Sequence, residues 1–173
     1  MAIVIDATVS GENANSFVTL LEYQEFKERL SPAPSTATED NENRALVTAC
    51  DVLNDNVLDY KGEQASSTQA LPFPRRYVVD PRAEGYPRSI SYYDDDIVPE
   101  PIKRAQMLMA YAIETGEFVV NGTTAGAVAS VTTDGVSITY AINTGKQRNP
   151  NALPEQAAKI LQQFLKTPCT NRQ

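Results

Sequence analysis

Between about residues 60 and 96 neither a helical period nor a strand alternation survives along the chain. Gly62, Pro72, Pro74, Pro81, Gly85 and Pro87 interrupt the stretch, and tyrosines and charged residues fill the gaps. Roughly 30 irregular residues are unusual inside a compact domain. The segment is therefore expected to be an excursion with its own task, and the regular structure must come from its two flanks. The whole chain has 173 residues, the length of one ordinary domain. A domain of that size buries roughly 70% of its unfolded surface and needs no covalent staple.

The flank before the excursion predicts two helices. Ile3, Val4 and Ile5 read as a short extended lead-in, and Gly11 to Ser16 is rich in turn formers. Thr19-Leu-Leu-Glu22 fits a capping box, in which the Thr hydroxyl and the Glu carboxylate each satisfy an orphan N–H. Leu20, Tyr23, Phe26 and Leu30 then recur at helical spacing until Ser31-Pro32-Ala33-Pro34 stops the helix. The second helix is predicted over about Glu39 to Val57, with Leu46, Ala49, Cys50, Leu53 and Val57 on one face. Glu39, Asp40 and Glu42 favour its start through the helix dipole.

The flank after the excursion predicts a helix, a hairpin and a helix. The third helix begins near Pro99 or Pro101, both compatible with a first turn, and carries Ile102, Ala105, Leu108, Met109, Ala112 and Ile113. Gly116 or Asn121-Gly122 is expected to end it. Residues 127–140 read as a β-hairpin: Val136, Ile138 and Tyr140 alternate with Ser137 and Thr139, and Asp134-Gly135 supplies the tight turn. A last helix runs from Pro154 to about Lys166, with Ala157, Ile160, Leu161, Phe164 and Leu165 on its apolar face. The expected fold is mainly α with one β-hairpin, a small helical bundle interrupted by a long irregular loop.

Composition removes most catalytic classes. Histidine and tryptophan are absent, so Ser-His and Cys-His nucleophile pairs and His-containing metal sites are excluded. The two cysteines, Cys50 and Cys169, have no metal-binding spacing, and Cys50 reads as a small buried hydrophobe. No phosphate-binding glycine motif occurs. A non-enzymatic protein without cofactor or metal is expected. The net charge of -7 disfavours tight sequence-independent binding to nucleic acid. No apolar run is long enough to span a bilayer, and the N-terminus lacks a basic region of the secretory type, so no membrane partner is expected.

Three groups of side chains invite a functional reading. Asp94-Asp95-Asp96 could serve a metal site, but consecutive residues diverge and no distant carboxylate motif accompanies them, so a solvated loop is expected. Arg75, Arg76, Arg82 and Arg88 interleave with Tyr77, Tyr86, Tyr92 and Tyr93. This mixture suits a protein interface, where Tyr and Arg dominate, or single-strand binding, with bases on aromatics and phosphates on arginines. Acids about as numerous as bases in the same segment favour the interface or an ordinary charged loop over nucleic acid. The third group is the last helix and tail, which either close the core or form a docking peptide.

Four stretches then carry a resemblance: Ala14-Asn-Ser-Phe-Val-Thr19, Arg44-Ala-Leu-Val-Thr-Ala-Cys-Asp-Val-Leu53, Gln69-Ala-Leu-Pro-Phe-Pro-Arg75 and Ile97-Val-Pro-Glu-Pro-Ile-Lys-Arg-Ala105. Their succession resembles a tailed-phage family labelled "DnaT-like ssDNA-binding protein", whose members look like head-to-tail connectors. The family often has Trp-Pro-Arg in the loop where this chain has Phe73-Pro74-Arg75. The resemblance implies a single connector domain over 1–173, with a long loop excursion over 60–98, the β-hairpin over 127–140, and a C-terminal helix and docking tail over 152–173. It implies a virion protein made in the host bacterial cytoplasm, forming a ring, usually of twelve copies, beneath a portal and passing DNA through its lumen. Its partners would be the portal protein, neighbouring copies and a downstream tail or head-closure protein. Phe164, Leu165, Lys166, Pro168 and Arg172 would dock on the portal. Arg75, Arg76, Tyr77, Arg82, Tyr86, Arg88, Tyr92 and Tyr93 would meet neighbouring subunits or the tail. The alternative is a single-stranded-DNA-binding accessory protein of replication that uses Arg75, Arg76 and the tyrosines.

Overall fold

A computed structural model describes residues 3–30, 37–55, 58–83, 90–118 and 153–166, with the strand backbone at 130–133 and 136–139. Among the described residues four helices form the body: α1 (Leu20–Leu30), α2 (Glu39–Leu53), α3 (Glu100–Glu114) and α4 (Glu155–Gln162). Two short strands, β1 (Glu63–Gln64) and β2 (Arg75–Arg76), lie between α2 and α3, and β3 (Ser130–Thr133) and β4 (Val136–Thr139) lie between α3 and α4. The fold is mainly helical with a small antiparallel hairpin, as the sequence predicts. β3 and β4 pair through Thr133↔Val136 at the closed end, the register of a two-residue connection. The turn residues Asp134 and Gly135 themselves lie outside the described residues, as do Val57, Tyr140 and Cys169.

The capping box forms as expected. The Thr19 N–H donates to Glu22 Oε2 at 2.7 Å, and the Glu22 N–H donates to Thr19 Oγ1 at 3.3 Å. α3 starts directly after Pro99, with Pro101 in its first turn. α2 ends at Leu53, where Asn54 caps it. Ile3, Val4 and Ile5 are not in a strand; side chains hold them instead, with Asn15 Nδ2 donating to Val4 O and Asn43 Nδ2 donating to Ile3 O.

α3 is the centre of the bundle, packed by α2 on one side and α4 on another. A helix clasped this way buries more than the single predicted stripe. Gln106 and Met107 are buried with Ile102, Ala105, Met109 and Ala112. Gln106 is fully buried and fully used: Oε1 accepts from the Phe17 N–H at 2.9 Å, and Nε2 donates to Ser16 Oγ at 2.9 Å and Leu46 O at 3.0 Å. It locks the approach to α1, α2 and α3 to one another.

A buried charge cluster ties the same three helices. The Lys27 ammonium donates to the Glu42 carboxylate, and to Glu114 Oε1 at 3.1 Å. The Tyr23 hydroxyl donates to Glu114 Oε2 at 2.8 Å, and Gln24 Nε2 donates to Glu42 Oε2 at 2.8 Å. Burial, reinforced by the hydrogen bond and charge of Glu114, pushes the Tyr23 phenol far above its ordinary pKa, so it stays a donor. Nothing in the apolar periodicity of α1 announces Lys27 as a core residue.

The C-terminal segment closes the core. α4 stops at Gln162, short of the predicted Lys166, because Leu165 leaves the helix to bridge with Tyr60. The Lys61 N–H donates to Phe164 O at 2.7 Å and the Lys166 N–H to Asp59 O at 2.8 Å. Phe164 is only 1% exposed and meets Phe73 edge-on at 5.6 Å and Tyr93 at 5.8 Å between ring centroids. The expectation that Phe164 and Leu165 dock on a portal is corrected here: one fills the core, and the other is paired in backbone. Lys166 is exposed and ion-paired with Asp59 at 2.8 Å, and Pro168 and Arg172 lie outside the described residues.

Candidate nucleic-acid interface

The long segment between α2 and α3 is tied down twice, by pairings too short to leave a period in the sequence. First, β1 and β2 pair antiparallel, Glu63 opposite Arg76 and Gln64 opposite Arg75. The intervening loop is organised by Gln69, whose Oε1 accepts from the Ser66 N–H and whose Nε2 donates to Leu71 O and Pro74 O. Gly62 allows this pairing. Its φ is +72°, and a Cβ there would lie 2.1 Å from Arg76 O, so only glycine lets the two backbones approach. Second, Val79 bridges Tyr92, flanked by hydrogen bonds from the Asp80 N–H to Ser91 O and from the Tyr93 N–H to Val78 O, both 2.9 Å.

That second pairing sorts side chains to two faces. Val78 and Tyr93 turn inward, Val78 into the core and Tyr93 onto Phe164. Tyr77, Val79, Ile90 and Tyr92 are exposed, Tyr77 to 65% and Tyr92 to 51%. The rings of Tyr77 and Tyr92 meet edge-to-face, 6.2 Å between centroids at 88°. Tyr77 holds a left-handed backbone, φ +62°, uncommon for a bulky residue. The chain thus places two large aromatic rings in solvent, on a platform whose underside is core.

The arginines divide sharply. Arg75 Nε donates to Lys61 O and its Nη2 to Gly62 O, both at 2.8 Å, and its guanidinium lies 5.9 Å over the Tyr60 ring. Burial pulls its pKa below the ordinary value. The reading of Arg75 as a contact residue is therefore corrected: it is a strut fixing the turn into β1. Arg76 instead lies half-exposed beside Tyr77, and its Nε donates to Asp95 Oδ2 at 2.9 Å. The Arg82 side chain is exposed next to the Val79–Tyr92 pairing. Tyr86 and Arg88 lie outside the described residues.

Asp94, Asp95 and Asp96 are exposed, and among the described residues no three acidic or sulfur-bearing side chains converge on a metal position. Cys50 is buried, and burial pushes its thiol up to about 12, which leaves it an unreactive packing group. Among the described residues no helix is long and apolar enough to cross a membrane. Sequence reasoning overlooked Val79 and Ile90 as exposed neighbours of the tyrosines. The run Tyr77-Val78-Val79-Asp80 holds too few residues to announce which valine faces out.

The sequence profile of one family, described as "Putative DnaT-like ssDNA binding protein", matches residues 1–172. The chain belongs to that family. Neither a curated protein nor a solved structure matches it. The family's description names single-stranded DNA binding and not a connector, so the expectation of a phage head-to-tail connector is corrected. A DNA contact is compatible with the family; a portal or tail contact has no support from it.

Proposed function

We propose that this chain binds single-stranded DNA by stacking bases on the Tyr77–Tyr92 pair, with Arg76 and Arg82 beside the phosphate backbone. The observation that carries the reading is the exposed, edge-packed tyrosine pair on a platform anchored to the core. Every base has a π-face, so such a platform takes a strand without regard to sequence. Family membership over residues 1–172 supports the same ligand. The chain then works by binding, with no catalytic step and no cofactor of its own.

The charge balance shapes the mode of binding. With a net charge of -7, the protein cannot draw most of its affinity from phosphate neutralisation. Stacking must supply the larger share. Two arginines on phosphates give a slope of log affinity against log salt of about -1.4, much shallower than a basic groove would.

Fluorescence anisotropy with a labelled oligodeoxythymidylate tests this. The intact chain binds at about 50 mM salt, with the shallow dependence just given. Tyr77→Ala and Tyr92→Ala each weaken binding about tenfold, the loss expected when one stacking partner goes. A flat titration of the unaltered chain at that salt overturns the reading.

A further inference from the structure

Resting on the single-strand reading, we infer that the Asp95 carboxylate occupies the position of a nucleotide phosphate on Arg76, and that a bound strand must displace it. The geometry has three parts. Arg76 precedes Tyr77 directly in the chain, and its side chain is exposed. Its Nε donates to Asp95 Oδ2 at 2.9 Å. Both side chains are about half-exposed, at 52% and 55%, so the pair opens to solvent and to a ligand without disturbing the core.

The chemistry of the exchange is direct. Carboxylate and phosphate both present anionic oxygens to the N–H groups of a guanidinium, and arginine serves both. A half-exposed ion pair contributes little stability, so a phosphate can compete for the same donors. Asp95 also stands three residues after Tyr92, in a run of three acids. A strand lying on the rings brings its phosphates against that run, and like charges repel. The acid thus both fills the phosphate position and raises the cost of occupying it. This assigns a phosphate subsite to Arg76.

The test compares Asp95→Asn, Asp96→Asn and Arg76→Gln in the full chain, by anisotropy with the same oligodeoxythymidylate at low salt. Asp95→Asn is expected to tighten binding about fivefold, the scale of releasing a half-exposed ion pair, and to steepen the salt dependence. Asp96→Asn, which removes the same charge without that contact, tightens it less than about twofold. Arg76→Gln weakens binding and makes a second change at Asp95 silent. If Asp95→Asn leaves binding unchanged while the unaltered chain binds, or if Asp96→Asn tightens it equally, the phosphate subsite is wrong and the tyrosine platform stands. If neither the unaltered chain nor any variant binds, both fall together.

Discussion

Lys27→Met destabilises the fold by about 3–5 kcal/mol, the cost of leaving a buried ionic partner uncompensated. Methionine keeps the length and apolar stem of lysine but removes its charge. Glu42, 4% exposed, then loses its ion-pair partner, and Glu114 loses the Lys27 ammonium. Gln24 still donates one hydrogen bond to Glu42, which is too little for a desolvated anion. Urea unfolding followed by far-ultraviolet circular dichroism measures the loss, since the chain has no tryptophan to report it. The double variant Lys27→Met, Glu42→Met recovers part of the deficit, because one of the stranded acids goes with it. A loss below about 1 kcal/mol for Lys27→Met would show that the cluster is wetter than its burial indicates.

Phe73→Ala is the second large effect, about 3–5 kcal/mol by the cavity it leaves. Phe73 is 2% exposed and sits among three rings, Phe17 at 6.3 Å, Tyr60 at 5.0 Å and Phe164 at 5.6 Å, all close to perpendicular. Those rings come from the approach to α1, the turn into β1 and the end of α4, so no single helix can move in to fill the void. Phe73→Leu, which keeps most of the volume, loses far less. The two substitutions also differ in reach. Lys27 sits beside Tyr23, in a core cluster separate from the one beneath Val78 and Tyr93, so Lys27→Met leaves oligonucleotide affinity unchanged wherever the chain is folded. Phe73 supports Tyr60 and Phe164, on which β1 and Tyr93 rest, so Phe73→Ala lowers stability and binding together. Equal binding by folded Phe73→Ala would separate the platform from the core beneath it.

The helices were legible because apolar spacing and caps act locally. Thr19 and Glu22 lie three residues apart and satisfy each other's termini whatever the rest of the chain does. Pro99 and Pro101 mark the start of α3 for the same local reason. The end of α4 was not legible, because Leu165 leaves the helix for a partner, Tyr60, more than a hundred positions away. The site was half legible. Its residue types, Tyr and Arg interleaved, stood out, yet spacing could not separate Arg75, spent on backbone carbonyls, from Arg76, exposed one position later. That distinction depends on Gly62 and the Lys61 and Tyr60 carbonyls, which only folding brings to Arg75. The connector expectation failed differently: it drew an assembly role from a resemblance whose matching residues are packing residues, and these specify a fold more firmly than a partner.

The pairing of Tyr60 and Lys61 with Phe164 and Leu165 sets an order of events during synthesis. The residues of the platform are made first, and the residues that pin its base emerge roughly 70 to 90 positions later, several seconds or more at ordinary elongation rates. Throughout that interval the two tyrosines belong to a growing chain whose footing is unfinished. A nascent polypeptide therefore cannot present the finished Tyr77–Tyr92 pair on its footing until α4 has docked.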